Sequence, residues 1–348
     1  MPEVPVLVPN DAAQARALVA HFIAASRAAN TRRSYAGGWR NFEAWCVAHQ
    51  HLSLPASPET VATYCAAAAA GGGRKFGTIK LRCAAISFVH RNAGHVNPVA
   101  HAGVKATLSG IARELGTAPT KKAALTADLL AKAVRKIPVE RRASARPGPA
   151  EKQEKYSGDY SRPLDLQGFS MADLTGLRDR ALLLLGFAGA LRRSELVDLN
   201  VNDITRHPKG VVLTLGRSKT DQECQGTTKT IPHGKKLRTI EALDAWIRAA
   251  GITEGPIFRV VRGSHVLPRR LAARQVARIV KKRATAIGLD PKVFGGHSLR
   301  SGYASTAADH GAELASIASQ LGHKSLTTTR GYVQVRDAFM DHSGRKFL

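Results

Sequence analysis

Residues 179–220 read DRALLLLGFAGALRRSELVDLNVNDITRHPKGVVLTLGRSKT, and within them the chain changes character. A long helix runs through DRALLLLGFAGAL. Beyond it VNDITR, GVVLTLG and, further on, TKTIPHG have the branched residues and turn punctuation of short antiparallel strands. Helices resume from Leu237. The segment from Leu125 onward is therefore mixed α and β, and what precedes it reads differently.

Upstream the pattern is helical. Tyr35, Trp39, Phe42 and Cys46 step by four, three and four residues, one face of a helix with Thr31 as its N-cap, although Gly37 and Gly38 weaken it. A second helix opens at Ser57 with Pro58 in its first position. Ile79, Cys83, Ile86 and His90 mark a third. Val104, Leu108, Ile111 and Leu115 mark a fourth, with Gly116 placed to end it. With a leading helix near 11–27, these make a bundle of four or five helices. Residues 116–124, GTAPTKKAA, read as a linker, which sets domains at 1–118 and 119–348. Thr126 caps the next helix, and 138–173, rich in Pro, Gly and charge, reads as a long loop.

Among 348 residues, 52 Lys and Arg stand against 26 Asp and Glu, a net charge of +26. Residues 1–118 hold 12 basic and 5 acidic residues, so both domains are basic. Such a chain favours polyanions, nucleic acid ahead of an anionic membrane surface. The longest apolar run, Ala181 to Leu191, is too short for the ~20 residues of a spanning helix. The first residues also lack the basic-then-apolar pattern of a signal peptide, so a cytoplasmic location is expected. Cys46, Cys65, Cys83 and Cys224 have no zinc-ligand spacing and read as reduced thiols, three of them on helices.

Four places carry polar residues that a bland helical domain would not need. Arg192 and Glu195 are three apart on one helix face, by themselves an ordinary solvated pair. Lys219 sits in a turn between two expected strands. His297 and Arg300 open a helix in GGHSLRSGYA, where arginine rules against a metal site. His323 precedes Tyr332 by nine residues in LGHKSLTTTRGY.

In order and spacing, ALRRSEL, GRSKT, HSLR and LGHKSLTTTRGY resemble the active-site segments of the tyrosine recombinases, the phage integrase family. NTRRSYAGGWRNFEAWC resembles the start of that family's core-binding domain, so the likeness spans nearly the whole chain. It implies a mainly α fold with a small antiparallel sheet: a helical SAM-like core-binding domain, then an α/β catalytic domain. It also implies a site-specific recombinase acting on double-stranded DNA as a homotetramer on two sites, with accessory DNA-bending proteins possible partners and no membrane or cofactor. Arg192 and Arg300 would clamp the phosphoryl oxygens, since a guanidinium fork donates to two oxygens and stays charged. His323 would add a hydrogen bond, and Tyr332 would attack phosphorus. Lys219 would protonate the leaving 5′-oxygen and His297 would assist proton transfer with the tyrosine. Glu195 would orient Arg192.

Arg32, Arg33, Arg74, Lys75, Lys80 and Arg82 lie on the helices that face DNA in the family, to hold phosphates or read a groove. The same catalytic residues would also serve a type IB topoisomerase or a telomere resolvase. A catalytically idle DNA-binding descendant is a third reading. Three departures stand out: the 138–173 loop is longer than usual, Arg193 replaces a common apolar residue, and only a short segment follows Tyr332.

Overall fold

The computed structural model describes residues 16, 18, 19, 22, 29–71, 73–118, 121–138, 171–216, 227–323 and 325–331. Most of the leading helix expected at 11–27, nearly all of the 138–173 loop, Lys219, Cys224 and Tyr332 lie outside them. The chain divides into two compact units, Met1–Thr120 and Lys121–Leu348.

In the first unit, α1 (Ala29–Ala48) packs mainly on α3 (Phe76–Asn92), and α2 (Pro58–Ala70) on α4 (Ala102–Leu115). The helix is already running at Ala29, so Thr31 lies inside it and is no N-cap; a hydroxyl can cap only where the helix begins. The two glycines of α1 have a partial explanation. A Cβ on Gly38 would stand 3.1 Å from that of Ala85, which is how closely α1 approaches α3 there. Ser57 does cap α2, accepting the Thr60 N–H at 3.1 Å. Ile79, Cys83, Ile86 and His90 are all buried in α3. His90 Nε2 accepts the Ala56 N–H and its Nδ1 meets the Ile86 carbonyl, both at 2.9 Å, while burial pushes its pKa down. This histidine is a neutral structural link between α3 and the turn before α2. On α4 the apolar stripe stops short: Leu115 is 43% exposed, and Gly116 ends the helix at φ +70°. Cys46, Cys65 and Cys83 are buried free thiols.

The second unit is built round α6 (Met171–Ala188), whose Leu182, Leu183, Leu184 and Leu185 are all enclosed. A helix buried on every side needs neighbours on every side, and α5 (Ala127–Arg135), α7 (Arg193–Asp198), α8 (Thr239–Ala249), α9 (Ala273–Ala286) and α10 (Ser298–Asp309) supply them. Because α6 begins at Met171, the end of the expected loop is helical. Within this core Asp179 bridges Arg178 and Arg283, at 2.8 and 2.7 Å. Thr126 precedes α5 as expected, but the Ala127 N–H is taken by the Thr306 hydroxyl of α10 at 3.0 Å.

The sheet is antiparallel in the order β1 (Ile204–His207), β2 (Gly210–Leu215), β3 (Thr227–Pro232). Val201–Asp203, expected as strand, is a 3-10 turn, because the Asp203 carboxylate accepts the Asn200 N–H at 2.7 Å and starts a helical turn instead. A second hairpin, β4 (Arg259–Arg262) and β5 (His265–Arg270), interrupts the stretch expected to be helical. Its turn is made at Gly263, φ +59°. Two short helices, α11 (Leu314–Leu321) and α12 (Leu326–Arg330), close the described residues. No helix among them is long and apolar enough to cross a membrane.

Candidate active site

The last carbonyls of a helix have no partners within it and carry the negative end of its dipole. Two such ends meet in the second unit. At the end of α6 the chain turns through Gly189 and Ala190, the latter left-handed at φ +46°, to reach Arg192. At the end of α11 it turns through Gly322, φ +64°, to reach His323. Three side chains satisfy the exposed carbonyls, two from other elements and one from α11 itself. Arg300 of α10, 1% exposed, donates from Nη1 to Ala190 O at 2.6 Å and from Nη2 to Leu321 O. Lys229 of β3, 4% exposed, donates to Gly189 O at 3.0 Å and to Gln320 O. The Gln320 side chain donates to Ala188 O at 3.0 Å.

Arg192 is the residue before the first turn of α7, and Glu195 is the third residue within it. The buried Glu195 carboxylate accepts the Arg192 N–H at 2.8 Å and its Nη1 at 2.5 Å. One carboxylate thus caps the helix and orients the guanidinium, the role expected for it. Arg270 of β5 anchors the other end of α7, donating to the Val197 carbonyl at 2.5 Å and to Asn200 Oδ1 at 2.6 Å. Arg193 is exposed, with its stem lying over Gly296.

His323 is half-buried, with Nδ1 2.9 Å from the Thr329 hydroxyl. Burial, then the charges of Arg300, Arg192 and Lys229, push its pKa down to about 4. The ring is neutral at pH 7. Burial likewise lowers Lys229 to about 8, with Arg300 and Arg192 pulling the same way and Glu195 opposing them. A neutral imidazole beside two guanidiniums and an ammonium makes a cationic cluster whose chemistry suits an anion with several oxygens.

The depth of Arg300 follows from the packing of α10. A Cβ on Gly302 would fall 1.9 Å from the Leu125 carbonyl oxygen, so only glycine allows this helix to lie against the strap before α5. His297 stands just before α10 and is exposed, in contrast to Arg300 one turn on. The structure therefore brings together Arg192, Arg300 and His323, and adds Lys229, which motif reading missed. The alternation of TTKTIP offered a signal, since Lys229 and Ile231 share the inward phase of the strand. Among the described residues no cluster of three or more His, Cys, Asp or Glu side chains could hold a metal.

In the helical unit Arg32, Arg33, Arg74, Lys75 and Lys80 are exposed. Arg33 reaches Asn30 Oδ1 at 3.1 Å. Arg82 is half-buried and donates to the Tyr64 hydroxyl at 3.2 Å, while that hydroxyl donates to Asn41 Oδ1 at 2.8 Å. With Arg74 and Trp45 these residues line a cavity of about 370 Å³. Arg82 is thus committed to this network and is less available at the surface than its neighbours.

Residues 166–338 match the profile of the Phage integrase family. An integrase/recombinase xerD homolog of Selenomonas ruminantium is 36% identical over 324 residues, covering 91% of this chain and 85% of the relative. Tyrosine recombinase XerC of Corynebacterium efficiens is 37% identical over 161 residues, 45% of this chain and 46% of the relative, so the match spans about half of that protein. Among solved structures, the XerH site-specific recombinase bound to palindromic difH substrate, in its post-cleavage complex, aligns with a TM-score of 0.54. At 12% identity, over 88% of this chain and 75% of that one, the likeness is one of fold.

Proposed function

The chain belongs to the phage integrase family of tyrosine recombinases, and on that premise we propose that it exchanges DNA strands through a 3′-phosphotyrosyl intermediate on Tyr332. It is a site-specific DNA recombinase, an enzyme of strand cleavage and transesterification. The convergence of Arg192, Arg300 and His323 at the ends of α6 and α11 carries the mechanistic reading.

The scissile phosphate would bind at this cationic cluster, where the guanidiniums and imidazole offset the charge that grows on its oxygens. Tyr332 Oη forms a bond to phosphorus as the bond to O5′ breaks. His297 helps take the phenol proton, and Lys219 gives one to O5′. The reverse step uses the freed 5′-hydroxyl of a second duplex, so ester bond energy is conserved and the exchange needs no nucleotide. Two duplexes imply four copies of the chain. The helical unit, residues 1–118, would add DNA contacts through Arg32, Arg33, Arg74, Lys75 and Lys80, with Arg82 more recessed. DNA as the substrate implies a cytoplasmic location, and DNA-bending accessory proteins would suit a synapse of this kind.

Covalent capture tests this reading. Wild type and Tyr332→Phe are incubated with nicked DNA from the surrounding genomic region and denatured, and the linked ends are sequenced. Tyrosine-dependent ends clustered at an inverted repeat are expected. Scattered ends would favour a type IB topoisomerase, and adducts only at hairpin ends a telomere resolvase. Binding without any adduct would leave a DNA-binding protein and overturn the enzymatic role of Tyr332.

A further inference from the structure

Lys229 is enclosed and lies apart from the motif residues in sequence, yet its two partners stand in matching places. Gly189 is three residues before Arg192, and Gln320 is three residues before His323. Arg300 repeats the arrangement one step closer, joining Ala190 and Leu321, each two residues before the same side chains. The two cations form successive rungs between the ends of α6 and α11. Resting on the reading of the site given above, we propose that Lys229 is a positioning residue for strand transfer: its ammonium ties the two helix ends together and so sets the separation of Arg192 from His323.

Packing alone does not account for a lysine here. The position opposes Leu213 in the sheet and shares its inward phase with Ile231, so an apolar side chain would fill the space without the cost of burying an ammonium. Among the described residues its two hydrogen bonds go to main-chain carbonyls rather than to a carboxylate. Without Lys229 the joint keeps Arg300 and the Gln320 side chain on Ala188 O, but loses the bond that fixes Gly189, the carbonyl next to the Arg300 rung. The Lys229 rung adds a tie at the positions three residues before Arg192 and His323, and small displacements of a phosphate clamp are costly to rate. Lys229 also faces the charged groups whose spacing matters: Arg192 and Glu195 from α7, Arg300 from α10, and His323 after α11.

The test uses the full-length protein with Lys229→Met and Lys229→Arg. On a duplex carrying the site recovered by covalent capture, Lys229→Met should form the Tyr332 adduct ~10²-fold more slowly at saturating DNA. Lys229→Arg, whose guanidinium can donate to both carbonyls, should restore most of the rate. A second readout needs no DNA: the imidazole of His323, followed by NMR against pH, is expected to titrate at about 4 in wild type. It should move upward in Lys229→Met, where one of three neighbouring cations is gone, and stay in place in Lys229→Arg. A folded Lys229→Met with a wild-type adduct rate overturns the proposal, as does an unmoved His323 titration. If Lys229→Met does not fold, the arginine variant decides: a rate ~10²-fold below wild type would overturn the bridging role. Absence of any adduct from wild type would instead defeat the Tyr332 reading, and the role of Lys229 in strand transfer with it.

Discussion

Replacing Glu195 separates its two tasks. Its carboxylate accepts the Arg192 N–H at 2.8 Å, as a helix cap, and the Arg192 guanidinium at 2.5 Å, as an ion pair. Glu195→Gln keeps one amide oxygen as an acceptor but removes the charge. A hydrogen bond to a charged group contributes ~1.5–3 kcal/mol and a neutral one ~0.5–1.5, so the loss is ~1–1.5 kcal/mol, or ~5–13-fold in rate if all of it falls on the transition state. Glu195→Ala removes both bonds and leaves the Arg192 N–H without its acceptor, a loss of roughly 3 kcal/mol and ~10²-fold in rate. The assay is single-turnover formation of the Tyr332 adduct, with thermal melts of each variant. A pH series adds a sign check. Glu195 holds the Lys229 pKa up toward about 8, and Lys229 loses its charge as pH rises through that value. In Glu195→Gln the alkaline fall in rate should therefore begin at lower pH than in wild type. Equal rates for Gln and Ala would mean that the charge does everything. A wild-type rate in the folded Ala variant would refute the orienting role.

Three further outcomes follow from the packing and the charge. Asp179→Asn leaves Arg178 and Arg283 buried without their shared counter-charge and should lower stability by ~3–5 kcal/mol, read from urea unfolding. Gly302→Ala should unfold the protein at lower temperature and reduce adduct formation, since its Cβ meets the Leu125 main chain; Gly37→Ala, with nothing within 4 Å, should instead stabilise by ~0.5–1 kcal/mol. Neutralising the exposed Arg74 and Lys75 together should weaken DNA binding and reduce the slope of log affinity against log salt by ~1.8 if both touch phosphate, with no change in melting temperature.

The helical stripes were legible because each is a local property of its segment. Phe42 with Cys46, and Ile79 with Cys83, announce a buried face without knowledge of the partner. Arg192, Arg300 and His323 stood out in the sequence as motif residues, but their convergence at two helix ends did not. Lys229 is distinguished by the carbonyls of Gly189 and Gln320, which lie 40 residues before it and 91 after it. Its strand phase marked it as inward but said nothing of what it would meet. Arg259, Arg262, Arg269 and Arg270 obscured the second hairpin, because a strand pattern depends on apolar alternation and charged residues dilute it. Thr126 shows a similar limit: its segment did start a helix, but the hydroxyl serving Ala127 came from Thr306, 179 residues away.

The carbonyls that hold Lys229 and Arg300 differ from carboxylates in how their influence falls with distance. A carboxylate would cancel a cation for any observer beyond the pair. A peptide carbonyl is a dipole, so it solvates the ammonium or guanidinium at contact while leaving its unit charge intact further out. With Arg192 and Glu195 offsetting each other, Lys229 and Arg300 keep the joint net positive even after the negative ends of the two helix dipoles are counted, roughly half a charge each. The fold thus keeps these cations buried, fixed and hydrogen-bonded without committing a carboxylate to them, so part of their charge remains to attract a polyanion.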